Sequence, residues 1–162
     1  MAKVTVKNVG GVVRELNRRI KKKVKAGQNA LISAGFHIQG ESQRITPVDT
    51  GNLKASTYTN WSDGGSKSGG RGGIGAGRGE KGQLRKAEQK VELQKRKAEL
   101  QSSASFAKFK VEVGCTAAYA IFVHENSRGA SFRTGTSRFL ALAVKKNMRK
   151  IVDMVREASK DE

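Results

Sequence analysis

The chain has 162 residues, enough for one domain, but only 36% are apolar and 6% aromatic, so the core it can build is modest. With 32 Lys and Arg against 14 Asp and Glu, the formal charge is +18, which attracts polyanions without naming one. There is no apolar run of the roughly eighteen residues a membrane span needs, and no apolar stretch follows Met1-Ala2-Lys3-Val4-Thr5. We therefore expect neither a membrane span nor a secretory signal, and a soluble protein made in a cytoplasm.

From Gly11 to Ile45, the residues Val12, Val13, Leu16, Ile20, Val24, Leu31, Ala34, Ile38 and Ile45 recur at steps of three and four, which predicts one face of a long amphipathic helix. A first basic block, Arg18, Arg19, Lys21, Lys22, Lys23 and Lys25, falls on the opposite face. Gly27, Gly35 and Gly40 each weaken that helix by up to about 1 kcal/mol, so the pattern also allows a kink or two helices. Pro47 lacks an N–H and pushes Thr46 out of the helical region, so the chain must reverse there. Asp49 and Thr50 can bond nearby amides, Gly51 can take a positive φ, and Asn52-Leu53 can open the next element. Leu53 to Trp61, rich in Thr, Tyr and Trp, is expected to become a strand after a short turn.

Between Asp63 and Gly82 half the residues are glycine and most others are Ser, Lys and Arg, a composition too poor in apolar surface to offset its ordering entropy. We expect that segment to be flexible. Gln83 to Gln101 is built from strong helix formers and carries a second basic block, Arg85, Lys86, Lys90, Lys95, Arg96 and Lys97. Leu84, Val91 and Ala98 follow one another at seven-residue steps, but Gln94 and Lys95 stand where a second seam position belongs. A solvated helix that packs only on a partner is therefore expected, not a coiled coil. Phe106 to Cys115 alternates as a strand, Ala117 to His124 fits a helical turn or another strand, and Ser127 to Thr136 reads as a loop. Ser137 is a plausible N-cap for a last helix whose stripe is Leu140, Val144, Ile151, Val155 and Ala158, flanked by Phe139, Leu142 and Val152; Lys145, Lys146, Arg149 and Lys150 form its basic block. The expected fold is α+β: one domain with a core over about 10–61 and 106–158, its long N-terminal and C-terminal helices packed on one face of a small antiparallel sheet. Residues 62–105 are an insertion, made of a Gly-rich segment (63–82) and a basic helix (83–101).

Motifs that suggest chemistry are weak. Asp49-Thr50-Gly51 is the triplet of aspartic proteases, but there it ends an apolar strand, whereas Pro47 precedes it here and Asn52-Leu53-Lys54 follows. Gly77-Arg78-Gly79-Glu80-Lys81-Gly82 matches the dinucleotide fingerprint only because glycine is dense, with no strand before it. Arg71-Gly72-Gly73 is a single RGG triplet without an aromatic residue to stack on bases. Two histidines, His37 and His124, and one cysteine, Cys115, make no metal-ligand cluster, and Cys115 reads as a buried thiol at a strand end. No nucleophile has an identifiable base, so the sequence argues against an enzyme and implies no metal or other cofactor.

Taken in order, three segments resemble a known family. They are Thr46-Pro47-Val48-Asp49-Thr50-Gly51-Asn52-Leu53-Lys54-Ala55-Ser56, then Tyr119-Ala120-Ile121-Phe122-Val123, then Phe139-Leu140 with Ala143. Pro47, Asp49, Thr50, Gly51, Leu53, Ser56, Tyr119, Ala120, Val123, Phe139, Leu140 and Ala143 carry the likeness to the tail-component proteins of tailed bacteriophages, the HK97 gp10-like neck or tail-completion family. It covers about residues 10–61 and 106–156. The chain departs from it at His124-Glu125-Asn126-Ser127, where many relatives read Glu-Phe-Gly-Thr, and in the long segment 62–105.

The resemblance implies a non-enzymatic virion protein of the head-to-tail junction, made in the host cytoplasm, that forms a ring, hexamer or dodecamer, around a channel for double-stranded DNA. Its partners would be portal or connector proteins and tail-terminator or tail-tube proteins. Arg18, Arg19, Lys22, Lys86, Lys90, Lys97, Lys145 and Lys146 would then face the DNA or a partner, and the insertion would be the arm reaching a neighbour. The alternative reading is a small basic nucleic-acid-binding module.

Overall fold

The computed structural model describes residues 9–48, 51–63, 66–68, 80–103, 109–125 and 132–160. Asp49, Thr50 and most of the glycine-rich segment lie outside the described residues. In chain order the elements are α1 (Val9–Ile45), α2 (Asn52–Ala55), β1 (Thr57–Trp61), β2 (Ser66–Ser68), α3 (Glu80–Ser103), β3 (Val111–Cys115), α4 (Ala120–Glu125) and α5 (Phe139–Ser159). The sheet has the order β2-β1-β3 with both pairings antiparallel, Thr59 standing opposite Lys67 on one side and Val113 on the other. The fold is α+β, with a small antiparallel sheet, a long N-terminal helix and a C-terminal helix.

Several boundaries differ from those read in the sequence. α1 runs unbroken through Gly27, Gly35 and Gly40, about 55 Å of helix at the standard rise. Ser66–Ser68, inside the segment expected to be flexible, is an edge strand, and the helix after it begins at Glu80, not Gln83. Ala120–Glu125 is helix. The residue before α5 is Arg138, in the left-handed region at φ 54°; Ser137 stands one position earlier, and no side chain caps α5.

The C-terminal half of α1 lies on the β1–β3 face through a close approach at Gly35, where a β-carbon would sit 2.7 Å from Val111 Cγ1 and 2.9 Å from Thr59 Cγ2. Beside it the contacts are largely polar. Gln39 donates from Nε2 to the Thr57 carbonyl at 3.2 Å and accepts from Thr59 Oγ1 at 2.7 Å, and Gln43 donates to the Lys54 carbonyl at 3.2 Å. Phe36 meets Trp61 edge to face, ring centroids 5.7 Å apart. α5 packs antiparallel along α1, with the His37 and Asn147 side chains 3.0 Å apart in a hydrogen bond, so it reaches the sheet side only through its first turn.

Alternation along β1 sends Thr57, Thr59 and Trp61 toward α1 and Tyr58 and Asn60 to the other face. That second face is covered by α3, on which Gln89 and Leu100 are buried. Helices therefore lie on both faces of the sheet, α1 on one and α3 on the other, and the basic helix packs on the folded unit, where the sequence predicts a helix held in solvent. The reason is that a sheet so small leaves Tyr58 exposed to water unless something lies over it. Tyr58 donates its hydroxyl to Glu112 there, and burial, then that bond, push the phenol well above its ordinary range.

Gly35→Ala should shift the urea midpoint down, a net loss of about 1–2 kcal/mol once the helix-propensity gain is set against the forced displacement. Gly40→Ala, where a β-carbon meets nothing within 4 Å, should raise stability by up to about 1 kcal/mol in the same assay. A tyrosine whose folded value is raised contributes stability that is complete below its unfolded value and is lost as pH climbs past it. The melting temperature should therefore fall above about pH 10. Tyr58→Phe should lower the neutral-pH plateau and flatten that alkaline limb.

Candidate functional site

The segments that carry the family likeness converge on one corner of the molecule. Thr46 closes the last turn of α1 by donating Oγ1 to the Ser42 carbonyl at 2.6 Å, and Pro47 ends it. The loop before α5 clasps this corner: Thr136 N donates to the Ile45 carbonyl at 2.9 Å, and Val48 N donates to Thr134 Oγ1 at 3.3 Å. Gly135, at φ +82°, passes so close beneath the corner that a β-carbon there would sit 2.5 Å from Pro47 N. Gly51 does take a positive φ, +78°, and its carbonyl accepts from Ala55 N at 3.0 Å to start α2.

Behind the corner, Leu53, Ala117, Ala120 and Phe139 form the buried apolar cluster, with Ile45, Cys115, Val123 and Leu140 packed against it. Asn52 Nδ2 donates to the Tyr119 hydroxyl at 3.0 Å. Leu53, Tyr119, Ala120, Val123, Phe139 and Leu140 are thus brought together, Pro47 and Gly51 stand at the rim, and Asp49 and Thr50 lie outside the described residues. This arrangement ties the C-terminal end of α1 to α2, α4 and the first turn of α5.

Chemically versatile side chains nearby are engaged in packing. Burial pushes the Cys115 thiol up to about 12, which keeps it protonated and unreactive at neutral pH. His124 Nδ1 lies 2.8 Å from Glu125 Oε1, and its ring meets Phe139 edge to face at 5.0 Å. Among the described residues no group of three His, Cys, Asp or Glu is placed to hold a metal ion, and no helix is long and apolar enough to cross a membrane.

The basic residues picked out in the sequence lie on three separate surfaces. Arg18, Arg19 and Lys22 line a groove of about 560 Å³ with Lys23 and Lys160, where the end of α5 meets α1. Arg18 and Arg19 hydrogen-bond Glu15 at 2.8 and 2.9 Å, and these bonds hold its carboxyl down at about 2. Lys86, Lys90 and Lys97 belong to α3, with Lys90 exposed and the other two half-buried. Lys145 and Lys146 are exposed, with Arg149 and Lys150, on the side of α5 turned away from α1.

Comparison with protein families, with curated proteins and with solved structures finds no match.

The surface that periodicity misassigned is apolar. The whole stripe from Val12 to Ile45 reads as core, yet Val12, Val13, Leu16, Ile20 and Val24 remain between 48% and 64% exposed. On α4, Ile121 and Phe122 are 64% and 75% exposed. The reason for the first is geometric: strands of five residues reach only about 17 Å, far short of a helix of this length.

Gly135→Ala would strain a left-handed backbone and also drive a methyl into Pro47, so it should cost on the order of 2–4 kcal/mol. Thermal melts should show the loss, and Gly27→Ala, with open space around it, should show none.

Proposed function

We propose that this chain is a structural subunit of the head-to-tail junction of a tailed bacteriophage, a neck or tail-completion protein that assembles with copies of itself into a ring around the path of double-stranded DNA. The observation that carries self-assembly is the line of half-exposed aliphatic side chains along the first half of α1, Val12 to Val24. Contiguous apolar surface of this kind on a small, highly charged chain marks a protein interface. The likeness to the tail-component family supplies the place: its residues make up the corner cluster, so they serve the fold, and the chemistry left on the outside is that of contact. In this reading Lys145, Lys146, Arg149 and Lys150 offer phosphate contacts without base readout, as a channel for any sequence requires.

One observation favours the second reading, a basic nucleic-acid-binding module. The groove at Arg18, Arg19, Lys22, Lys23 and Lys160 concentrates cations at one end of the molecule.

Light scattering behind size exclusion, with negative-stain micrographs of the same fractions, separates the two. The junction reading expects closed particles of six or twelve copies, alone or on addition of connector proteins, and complementation lysates in which a deletion of the gene leaves heads and tails unjoined. A monomer or dimer that shifts duplex DNA with a steep salt dependence, and that does not assemble on any connector, would move the assignment to the binding module.

A further inference from the structure

Besides the apolar stripe of α1, exposed apolar residues of α4 mark a second surface at the other end of the described residues. Between α3 and α4 a cleft of about 610 Å³ is lined by Glu88, Glu92 and Arg96 on one wall and by Ala118, Tyr119 and Ile121 on the other. Arg96 is already engaged by Glu92 at 2.9 Å and by Glu99 at 3.6 Å, so it adds little free positive charge to the opening. Glu88 is exposed on the α3 wall of this cleft. In a chain of net charge +18 this is a slot with one acidic wall, facing small apolar residues and Ile121 on the other. The α1 stripe is the converse, an aliphatic ridge with Arg19 and Lys23 on its flank, four residues apart on one face.

We propose that copies of this chain join head to tail, the Leu16–Ile20 ridge of one copy seating in the α3–α4 cleft of the next; the inference rests on the self-assembling part of the reading above. Charge decides between this and the obvious alternative. Pairing ridge with ridge across a two-fold axis would set Arg18, Arg19, Lys22 and Lys23 of both copies against one another, a net positive cluster even with Glu15 bonded to Arg18 and Arg19, whereas ridge in cleft sets these cations against Glu88. Placement agrees. α4 packs beside the C-terminal end of α1 through Phe139 and Ile45, while the ridge begins roughly 30 Å of helix away, so one copy can use both surfaces at once. A contact between two different patches propagates, and it closes into a ring wherever the rotation per copy allows.

The test uses two variants of the full chain, each with one surface removed. Leu16→Glu/Ile20→Glu places acids on the ridge, and Glu88→Lys/Ile121→Lys places cations in the cleft. All four positions are exposed, and circular dichroism checks that both variants fold. Should charge alter folding, Leu16→Ser/Ile20→Ser and Ile121→Ser carry the same experiment. By sedimentation velocity the unaltered chain should form species larger than a dimer, and each variant alone should be monomeric, its self-association weakened on the order of a hundredfold. Mixing the two should restore association to at least a one-to-one dimer, because one intact ridge and one intact cleft remain; the Ser variants, whose altered surfaces carry no complementary charge, should stop at that dimer.

A cleft variant that still dimerises by itself would overturn the proposal in favour of ridge-to-ridge pairing. An unaltered chain that assembles while the mixed variants stay apart would overturn these surfaces and leave self-assembly standing. An unaltered chain that is monomeric at every concentration, with connector proteins present or absent, would overturn both.

Discussion

A helix of 37 residues resting on strands of five is the constraint from which the rest of the molecule follows. The sheet and the first turn of α5 cover α1 only from about Leu31 onward, where Ala34, Gly35, Gln39 and Ser42 are buried. The same apolar stripe continues for several turns beyond that cover, held straight by its own hydrogen bonds and by α5 alongside. The fold therefore exposes apolar surface that its own strands are too short to bury. Such surface is stable in water only when charge keeps the chains dispersed or when another molecule covers it.

The corner at Thr46-Pro47 turns this long lever into a defined shape. Its rigidity comes from two directions at once: the 134–136 loop grips the end of α1 from outside, and Phe139, fully buried, fills the space behind it. Gly135 is indispensable because any side chain would occupy the volume of Pro47. Motif residues far apart in sequence thus meet for mechanical reasons, fixing the helix α1 relative to α4 and α5 and hence the ridge relative to the cleft.

The interior is unusually polar for its size, which fits a chain with few large apolar residues. Thr57, Thr59, Asn60, Gln39, Ser42 and Thr46 are all buried; Gln39, Thr57 and Thr59 find partners across the helix–sheet contact, and Ser42 and Thr46 bond carbonyls of α1 itself. Asn60 does not: neither its amide nitrogen nor its oxygen has a hydrogen-bond partner under α3. Each such atom costs about 1–3 kcal/mol, so α3 lies on a face that it covers without fully satisfying. The stability of the subunit is accordingly modest, and contacts between subunits would add to it directly.

The sequence by itself determined the helices and the reversal. Periodicity marks α1 and α5, and the proline and Gly51 mark the corner, because these are local consequences of 3.6-residue repeats and of backbone sterics. It also marked the residues of the candidate corner cluster, though by family likeness more than by chemistry. Tertiary structure alone decided which part of the α1 stripe is core, since that depends on how far another element extends in space and not on the stripe. It decided that α3 covers Tyr58 and Asn60, because a helix with a weak apolar pattern can still be held by a few side chains such as Leu100 and Gln89. And it alone placed Glu88 of α3 and Ile121 of α4 in one cleft. Glu88 and Ile121 stand 33 positions apart in the chain, and no local pattern records that they line one opening.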